Sequence, residues 1–234
     1  MKLALSNSIK NRGGEEDWLP TKLSGLQFWY RKNTGILNDS NTPIEDNDAV
    51  DDWQDQSGNN KHAVGATTKF SFDAASGGVE GSGNNKLNIT QIDFTGQFAF
   101  WVRLKFDTIS GGANDIMFND GTEEGGYTYN DDFFRVQTTT QLRSKIGGGT
   151  AMNYTCSTLS TGTYYNIGFE RDGSDDCRAY LGTAAQGSEV NNTNDFNLDR
   201  VLGAFDGTCL EIVVSNAALS SAERSKLDTY LTNI

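Results

Sequence analysis

The segment QFAFWVRLKF at residues 97–106 limits the folds open to this chain more than any other stretch. Its apolar residues occupy every second position: Phe98, Phe100, Val102, Leu104 and Phe106. Because successive side chains of a strand point to opposite sides, this period of two predicts a strand with one aromatic-rich face in a core. A helix would need apolar residues three and four positions apart.

Further segments show strand composition and follow each other at short spacing. They are residues 26–30, 115–118, 133–138, 141–148, 164–171, 177–182 and 209–215. Alternation predicts a shared face for Leu26, Phe28 and Tyr30 in the first, and for Leu210, Ile212 and Val214 in the last. Between 164–171 and 177–182, the Asp172–Gly173 step tolerates positive φ and predicts a hairpin turn. Many short strands predict an all-β, antiparallel two-sheet sandwich.

The end of the chain carries the only well-marked helix signal. In the sequence LSSAERSKLDTYL, Ser220 is followed three residues later by Glu223. This spacing is that of a capping box, in which each side chain bonds to the backbone N–H of the other residue. An incomplete apolar stripe follows, so we expect one short C-terminal helix packed on the sandwich.

The chain divides into two regions by pattern. Residues 1–22 are polar and lack periodicity, which predicts an N-terminal arm, whereas 23–234 form one domain. A single sandwich of this length is ordinary, and it needs no disulfide or metal to fold.

Charge and cysteine usage exclude several function classes. A net charge of −12 disfavours nucleic acid and anionic membranes as partners. No apolar run approaches a membrane span, and no signal-peptide core is present, which predicts synthesis in the cytoplasm. Cys156, Cys177 and Cys209 form no CxxC pair, so neither a zinc site nor a redox motif is indicated. Three free thiols are predicted, with one disulfide left open as the alternative.

The stretch DDWQDQSGNNKHA at residues 51–63 admits three interpretations. Asp51, Asp52 and Asp55 supply the hard oxygens that calcium prefers, but their spacing is not that of an EF-hand. The stretch could also form a sugar-binding loop, or a tight turn. The turn is the favoured interpretation, with calcium as the only cofactor considered.

Four stretches resemble the concanavalin A-like lectin/glucanase superfamily, in its laminin G-like branch. They are LQFWYRKNTGI, VDDWQDQSGNNKHAVG, LSTGTYYNIGFERDGSDDCRAYLG and FDGTCLEIVVSNAALSSAERSKLDTYL. The resemblance implies a jelly-roll sandwich over residues 23–231. It also implies structural roles for three residues of the second stretch: Trp53 at the core edge, Gly58 in a turn, and His62 as a hydrogen-bonded histidine.

A second candidate ligand region lies in the segment 119–134. Tyr127 and Tyr129 stand beside Asn130 and Asp131, and an aromatic face with adjacent amide and carboxylate groups suits a sugar. A plain β-hairpin would use the same residues.

The sequence lacks the paired carboxylates of a glycoside hydrolase. No E-x-D-x-E strand motif of the glucanase members occurs, so we predict a chain that is not an enzyme.

The resemblance extends to free-standing domains of tailed bacteriophages, which implies a virion structural protein, either capsid decoration or a tail appendage. Its arm would bind other virion proteins, and it would self-associate. The alternative is a lectin for host-surface glycans, in which calcium could assist binding, and a glycan hydrolase ranks third.

Overall fold

A computed structural model of the chain describes residues 18–109, 114–119 and 132–234. In these residues a 3₁₀ helix at Pro20–Lys22 precedes seventeen strands and one α-helix. The strands are β1 (Leu26–Tyr30), β2 (Ile36–Leu37), β3 (Asp52–Trp53), β4 (Ala63–Gly65), β5 (Ser71–Asp73), β6 (Gly78–Ser82), β7 (Leu87–Phe94), β8 (Phe98–Phe106), β9 (Asp115–Phe118), β10 (Phe133–Thr138), β11 (Gln141–Lys145), β12 (Met152–Thr155), β13 (Tyr164–Arg171), β14 (Asp176–Leu181), β15 (Ala184–Asn191), β16 (Phe196–Gly203) and β17 (Asp206–Ser215). The helix, α1, is Ser221–Thr232.

The strands form two antiparallel sheets. Sheet A has the order β15-β14-β13-β8-β17-β6-β5, with β1 also paired to β17. Sheet B has the order β12-β11-β10-β9-β16-β7-β4-β3-β2. The predicted all-β sandwich with one C-terminal helix is confirmed.

The core lies between the sheets and is rich in aromatic rings. The apolar face of β8 is fully inside it, and the Phe98 and Phe100 rings stack with centroids 4.7 Å apart. Phe134 of sheet B stacks on Phe169 of sheet A at 4.6 Å, so the two layers interlock through ring contacts. Such pairs contribute about 0.5–1.5 kcal/mol beyond the area that they bury.

The central part of the other face of sheet A is also buried, because α1 covers it. Trp29 and Trp101 pack there against Leu227 and Leu231 of the helix. The Trp101 indole lies over Gly168, where a methyl group would come within 2.6 Å of the ring. Both predicted hydrogen bonds of the Ser220–Glu223 capping box are present at the start of α1.

Two bulges change the faces that alternation predicts. The registers shift between Leu26 and Phe28 in β1, and between Cys209 and Glu211 in β17. An extra residue reverses the alternation on one side of a bulge. Leu26 therefore packs beside α1 instead of in the core, and Cys209 takes the core position expected of Leu210.

The predicted hairpin connects β13 and β14, but its turn differs in detail. The residue with positive φ is Asp175, at 63°, and not Gly173. Asp172 accepts hydrogen bonds from the backbone N–H groups of Ser174 and Asp176, which fixes the turn through a side chain. Strands of two or three residues, such as β2 and β3, went unpredicted because they are too short to show a period.

The chain's early residues and its cysteines can also be placed. Trp18 packs edge-on against Tyr230 of α1 with ring centroids 6.3 Å apart. Residues 1–17 lie outside the described part, so the arm remains a prediction. The three cysteines are free and buried. Within the described ranges, no helix has the length and apolar character needed to cross a bilayer.

Candidate functional site

The loop after β3 is organised by one carboxylate. Asp55 Oδ1 accepts hydrogen bonds from the backbone N–H groups of Trp29, at 2.9 Å, and Ser57, at 2.8 Å. Its Oδ2 accepts from Ser57 Oγ at 2.7 Å and from the Lys61 N–H at 3.2 Å. Both carboxylate oxygens are thus engaged by donors of the chain itself. Asp55 fixes the turn and fastens it to β1.

The neighbouring motif residues take structural positions. Trp53 is fully buried, and its indole N–H donates to the Arg31 carbonyl at 3.1 Å. Gly58 has a φ of 91°, which an L side chain rarely adopts. His62 Nδ1 accepts the Asp55 backbone N–H at 2.9 Å, so the ring supports the same turn.

The aspartates proposed for calcium point to different partners. Asp51 forms an ion pair with Lys69 at 2.5 Å, whereas Asp55 binds backbone N–H groups. Burial raises the pKa of Asp52, which has an Oδ1 shielded from water. No group of three or more His, Cys, Asp or Glu side chains suited to a metal occurs in the described residues.

The proposed sugar-binding residues Tyr127, Tyr129, Asn130 and Asp131 lie outside the described residues. The strands before and after them are described. β9 ends at Phe118 and β10 begins at Phe133. These two aromatic residues are direct partners in the register of the strand pair.

Phe118 and Phe133 belong to a set of side chains on the outer face of sheet B. Their strand neighbours Met117 and Phe134 are in the core, so alternation directs the two rings to the opposite side. We call this set the sheet B face, and it consists of Phe118, Phe133, Arg135, Arg143 and Arg200. The register joins them: Arg200 is opposite Phe118, and Arg135 is opposite Arg143.

Arginine side chains hold the Phe133 ring. The guanidinium carbon of Arg135 lies 4.0 Å from the ring centroid, and that of Arg143 lies 6.0 Å away. Arg135 also lies 3.8 Å from the buried carboxylate of Asp115, and Arg200 pairs with Asp199 at 2.9 Å. The arginines are half-buried, with side-chain exposures of 12% for Arg135 and 19% for Arg200. The face therefore presents planar, partly desolvated hydrogen-bond donors next to the half-buried Phe133 ring, whereas Phe118 is buried.

Phe118 depends on a backbone feature of β16. A methyl group on Gly203 would overlap the Phe118 ring, so this ring rests directly on glycine backbone. The adjacent residues Leu202 and Ala204 have positive φ values of 58° and 46°. Such conformations cost about 1–3 kcal/mol each in residues other than glycine and persist where the surroundings impose them. Strained backbone thus adjoins the sheet B face.

A second group of titratable side chains lies under α1. Glu170 accepts hydrogen bonds from the Trp101 indole, at 3.1 Å, and from Arg224, at 2.6 Å. Glu211 accepts from the Trp29 indole at 2.8 Å and from the Tyr230 hydroxyl at 2.9 Å.

Burial raises the pKa of Glu170 to about 7 and that of Glu211 to about 6. The hydrogen-bond donors oppose the effect of burial in both cases. These carboxylates anchor the helix to sheet A.

Glu170 and Glu211 are too far apart for glycoside hydrolysis. They lie on β13 and β17, on opposite sides of β8, where they pair with Ala99 and Arg103. Four residues of strand correspond to roughly 13 Å. Hydrolytic carboxyl pairs lie about 5 to 9.5 Å apart.

The only sequence signal of the sheet B face was the alternation of inward and outward side chains along each strand. Phe133 and Arg135 alternate with the core residues of β10, and Arg143 alternates with those of β11. That signal could have marked them as outward-facing. The pairing of strands that joins them to Phe118 and Arg200 is long-range and has no signal in the local sequence.

Several solved protein structures have a fold similar to that of this chain. The chain matches a Trypanosoma rangeli sialidase in complex with sialic acid, with a TM-score of 0.58, 13% identity and coverage of 91% of this chain and 34% of the sialidase. It matches the binding domain of botulinum neurotoxin DC in complex with SialylT, with a TM-score of 0.59 and 9% identity over 89% of this chain and 52% of that one.

A third match covers nearly a whole domain of another protein. It is domain 4 of AbnA, a GH43 extracellular arabinanase from Geobacillus stearothermophilus, in complex with arabinotriose. The TM-score is 0.54 at 14% identity, over 87% of this chain and 98% of that one. The chain spans about a third of the sialidase chains. No family model and no curated protein matched the sequence. The fold therefore defines an antiparallel β-sandwich domain of the class present in these proteins.

Proposed function

We propose that this chain is a non-catalytic glycan-binding module and that the sheet B face contacts the saccharide. Two of the structurally similar domains were solved with a saccharide-type ligand, SialylT for the neurotoxin domain and arabinotriose for the arabinanase domain. Their identity to this chain is low, so the likeness supports the fold and makes a glycan the first ligand to test.

The observation that carries the proposal is the half-buried Phe133 ring on the outer face of sheet B, beside the guanidinium groups of Arg135 and Arg143. Its register partner Phe118 is buried, with 5% exposure, so Phe133 is the ring that would contact a sugar. A sugar ring has an apolar C–H side that packs on aromatic groups and hydroxyls that need hydrogen-bond partners. Guanidinium groups supply several donors in a fixed planar arrangement. The sheet B face combines both requirements on rigid strands.

The separation of Glu170 and Glu211 argues for binding without hydrolysis. Their hydrogen-bond partners are residues that fasten α1 to sheet A, which gives both carboxyls a structural role. Calcium is not needed by the proposed contact, because aromatic and guanidinium groups do not bind cations of this type.

A glycan array followed by titration calorimetry on the strongest ligand tests the proposal. Phe133→Leu removes the ring but keeps an apolar side chain, and we expect binding at least about tenfold weaker. Tyr164→Leu is the matched control, since Tyr164 is a half-buried aromatic on sheet A that contacts Arg103 and Lys105. No binding to any glycan, or equal losses in both variants, would refute the role of the sheet B face.

The virion location and self-association predicted from the sequence remain proposals. A glycan-binding module on a particle surface would be compatible with them, but the sialidase, arabinanase and neurotoxin matches lend them no support. Deletion of residues 1–20 should abolish incorporation into a virion and leave the sandwich folded. Analytical ultracentrifugation of the full chain would measure its oligomeric state.

A further inference from the structure

We infer that the saccharide carries an acidic group, a carboxylate or a sulfate, and that Arg143 and Arg135 bind it. This inference rests on the proposed function and specifies its ligand class. The evidence is the arrangement of positive charges on β10 and β11.

Two arginines face each other across a strand pair. Arg135 of β10 is directly opposite Arg143 of β11, and Phe133 is opposite Lys145 two residues away. Alternation directs Arg135 and Arg143 to the outer side, because Phe134, Val136 and Leu142 between them are in the core. Lys145 has the same parity as Arg143 but is buried. Like charges in direct cross-strand register destabilise a sheet. Binding sites often keep arrangements that lower stability, and a pair of like charges suits a ligand of the opposite charge.

The concentration of positive charge contrasts with the rest of the chain. The sequence has 31 acidic and 19 basic residues, so a random surface patch would be acidic. At physiological salt, charges farther than about 8 Å are largely screened. Asp115 and Asp199 offset Arg135 and Arg200 within this distance, so Arg143 supplies the excess positive charge that a ligand meets at this face, in spite of the net charge of −12.

The Phe133 ring preorganises the cations. Both guanidinium carbons lie within 6.0 Å of its centroid, with Arg135 at 4.0 Å. The contact already restricts the arginine side chains, so less conformational entropy is lost when a ligand binds. Asp115 lies near Arg135, at 3.8 Å, whereas Arg143 has no carboxylate within ion-pair distance among the described residues. Arg143 is therefore the cation on which the acidic group would depend most, because planar guanidinium matches carboxylate and sulfate geometry.

Matched pairs of saccharides test the charge of the ligand. Trigalacturonate is compared with its methyl ester, and a sulfated carrageenan tetrasaccharide with its desulfated form, all by calorimetry at constant salt. We expect one acidic member to bind about tenfold tighter than its neutral partner. The pair that shows the preference distinguishes carboxylate from sulfate.

Three variants assign the preference to Arg143. Arg143→Gln should remove it, and Arg143→Lys should keep part of it. Arg178→Gln, which changes an equally charged residue on sheet A that pairs with Glu189, should leave it intact. The ligand-free Arg143→Gln protein should be at least as thermally stable as wild type, because the substitution relieves repulsion with Arg135. A purely structural Arg143 would instead lower the melting temperature.

The outcomes separate this inference from the proposed function. If acidic and neutral saccharides bind equally, or if Arg143→Gln keeps the preference, the inference is wrong while glycan binding stands. If no glycan binds at all, the proposed function fails and the inference fails with it.

Discussion

The Asp55 carboxylate accepts a hydrogen bond of 2.9 Å from the backbone N–H of Trp29, 26 residues earlier in the chain. This contact connects the turn that follows β3 to β1. It also gives the Asp55 carboxylate a structural role in the loop with the sequence DDWQDQSGNN. Both oxygens of this carboxylate accept hydrogen bonds from donors of the chain.

Asp55→Asn should destabilise the domain by about 2 kcal/mol. Each carboxylate oxygen accepts from two donors, so either orientation of the amide points an NH₂ group at donors of the chain. Urea unfolding measures the loss. Asp51→Asn serves as control, because its ion pair with Lys69 is exposed to solvent and should contribute little to stability. Equal stability of Asp55→Asn and wild type would contradict the assigned role.

Calcium should not act through this loop. We expect that Asp51→Asn and Asp52→Asn leave any effect of millimolar calcium or EDTA on the melting temperature unchanged, because these carboxylates do not converge with Asp55 on one point. Thermal denaturation with and without EDTA is the measurement. A calcium-induced stabilisation that disappears in either variant would restore the calcium hypothesis.

Stability should rise as the pH falls toward 5, in part through the carboxyls under α1. Burial raises the pKa of Glu211 from 4.5 to about 6, so the folded state binds its proton more tightly than the unfolded state does. This contribution is fully present below the unfolded pKa, near 4.5, and is lost as the pH rises through about 6. Glu170 acts in the same direction up to about pH 7.

Glu211→Gln isolates this effect from the general reduction of net charge. The glutamine cannot titrate, yet it can still accept from Trp29 and meet the Tyr230 hydroxyl, which can donate or accept. We expect the pH-dependent part of the unfolding free energy to fall by about 1 kcal/mol between pH 5 and pH 8. Chemical denaturation at several pH values would show it. An unaltered pH profile would mean that Glu211 titrates normally.

Gly203→Ala should weaken glycan binding, because the new methyl group would displace the buried Phe118 ring, which is the register partner of Phe133. We expect a loss of stability of about 1–3 kcal/mol together with at least threefold weaker binding. Gly96→Ala is the control, since a methyl group there meets nothing within 4 Å. Calorimetry and thermal denaturation would measure both effects. Retention of full affinity would remove Phe118 from the binding face.

Local pattern was sufficient for several parts of the structure. The alternation in 97–106 predicted β8 and its core face, and the Ser220–Glu223 spacing predicted the start of α1. These features depend on residues within one turn or one strand. Hydrophobic burial and backbone hydrogen bonding act on them directly, so the sequence carries their signature.

Bulges limited what alternation could predict. One inserted residue in β17 moved Cys209 to the core position predicted for Leu210. The bulge in β1 turned Leu26 toward α1. A bulge is set by how two strands match along their whole length, which neither strand records alone.

By itself, the sequence determined an antiparallel sandwich with a capped C-terminal helix, because these depend on local periodicity and on neighbouring residues. Only the tertiary structure decided which strands are neighbours, and thereby brought Phe118, Phe133, Arg143 and Arg200 onto one face. Strand order and register arise from the packing of residues distant in the chain, where many pairings have a similar local pattern. The candidate site is a product of that register.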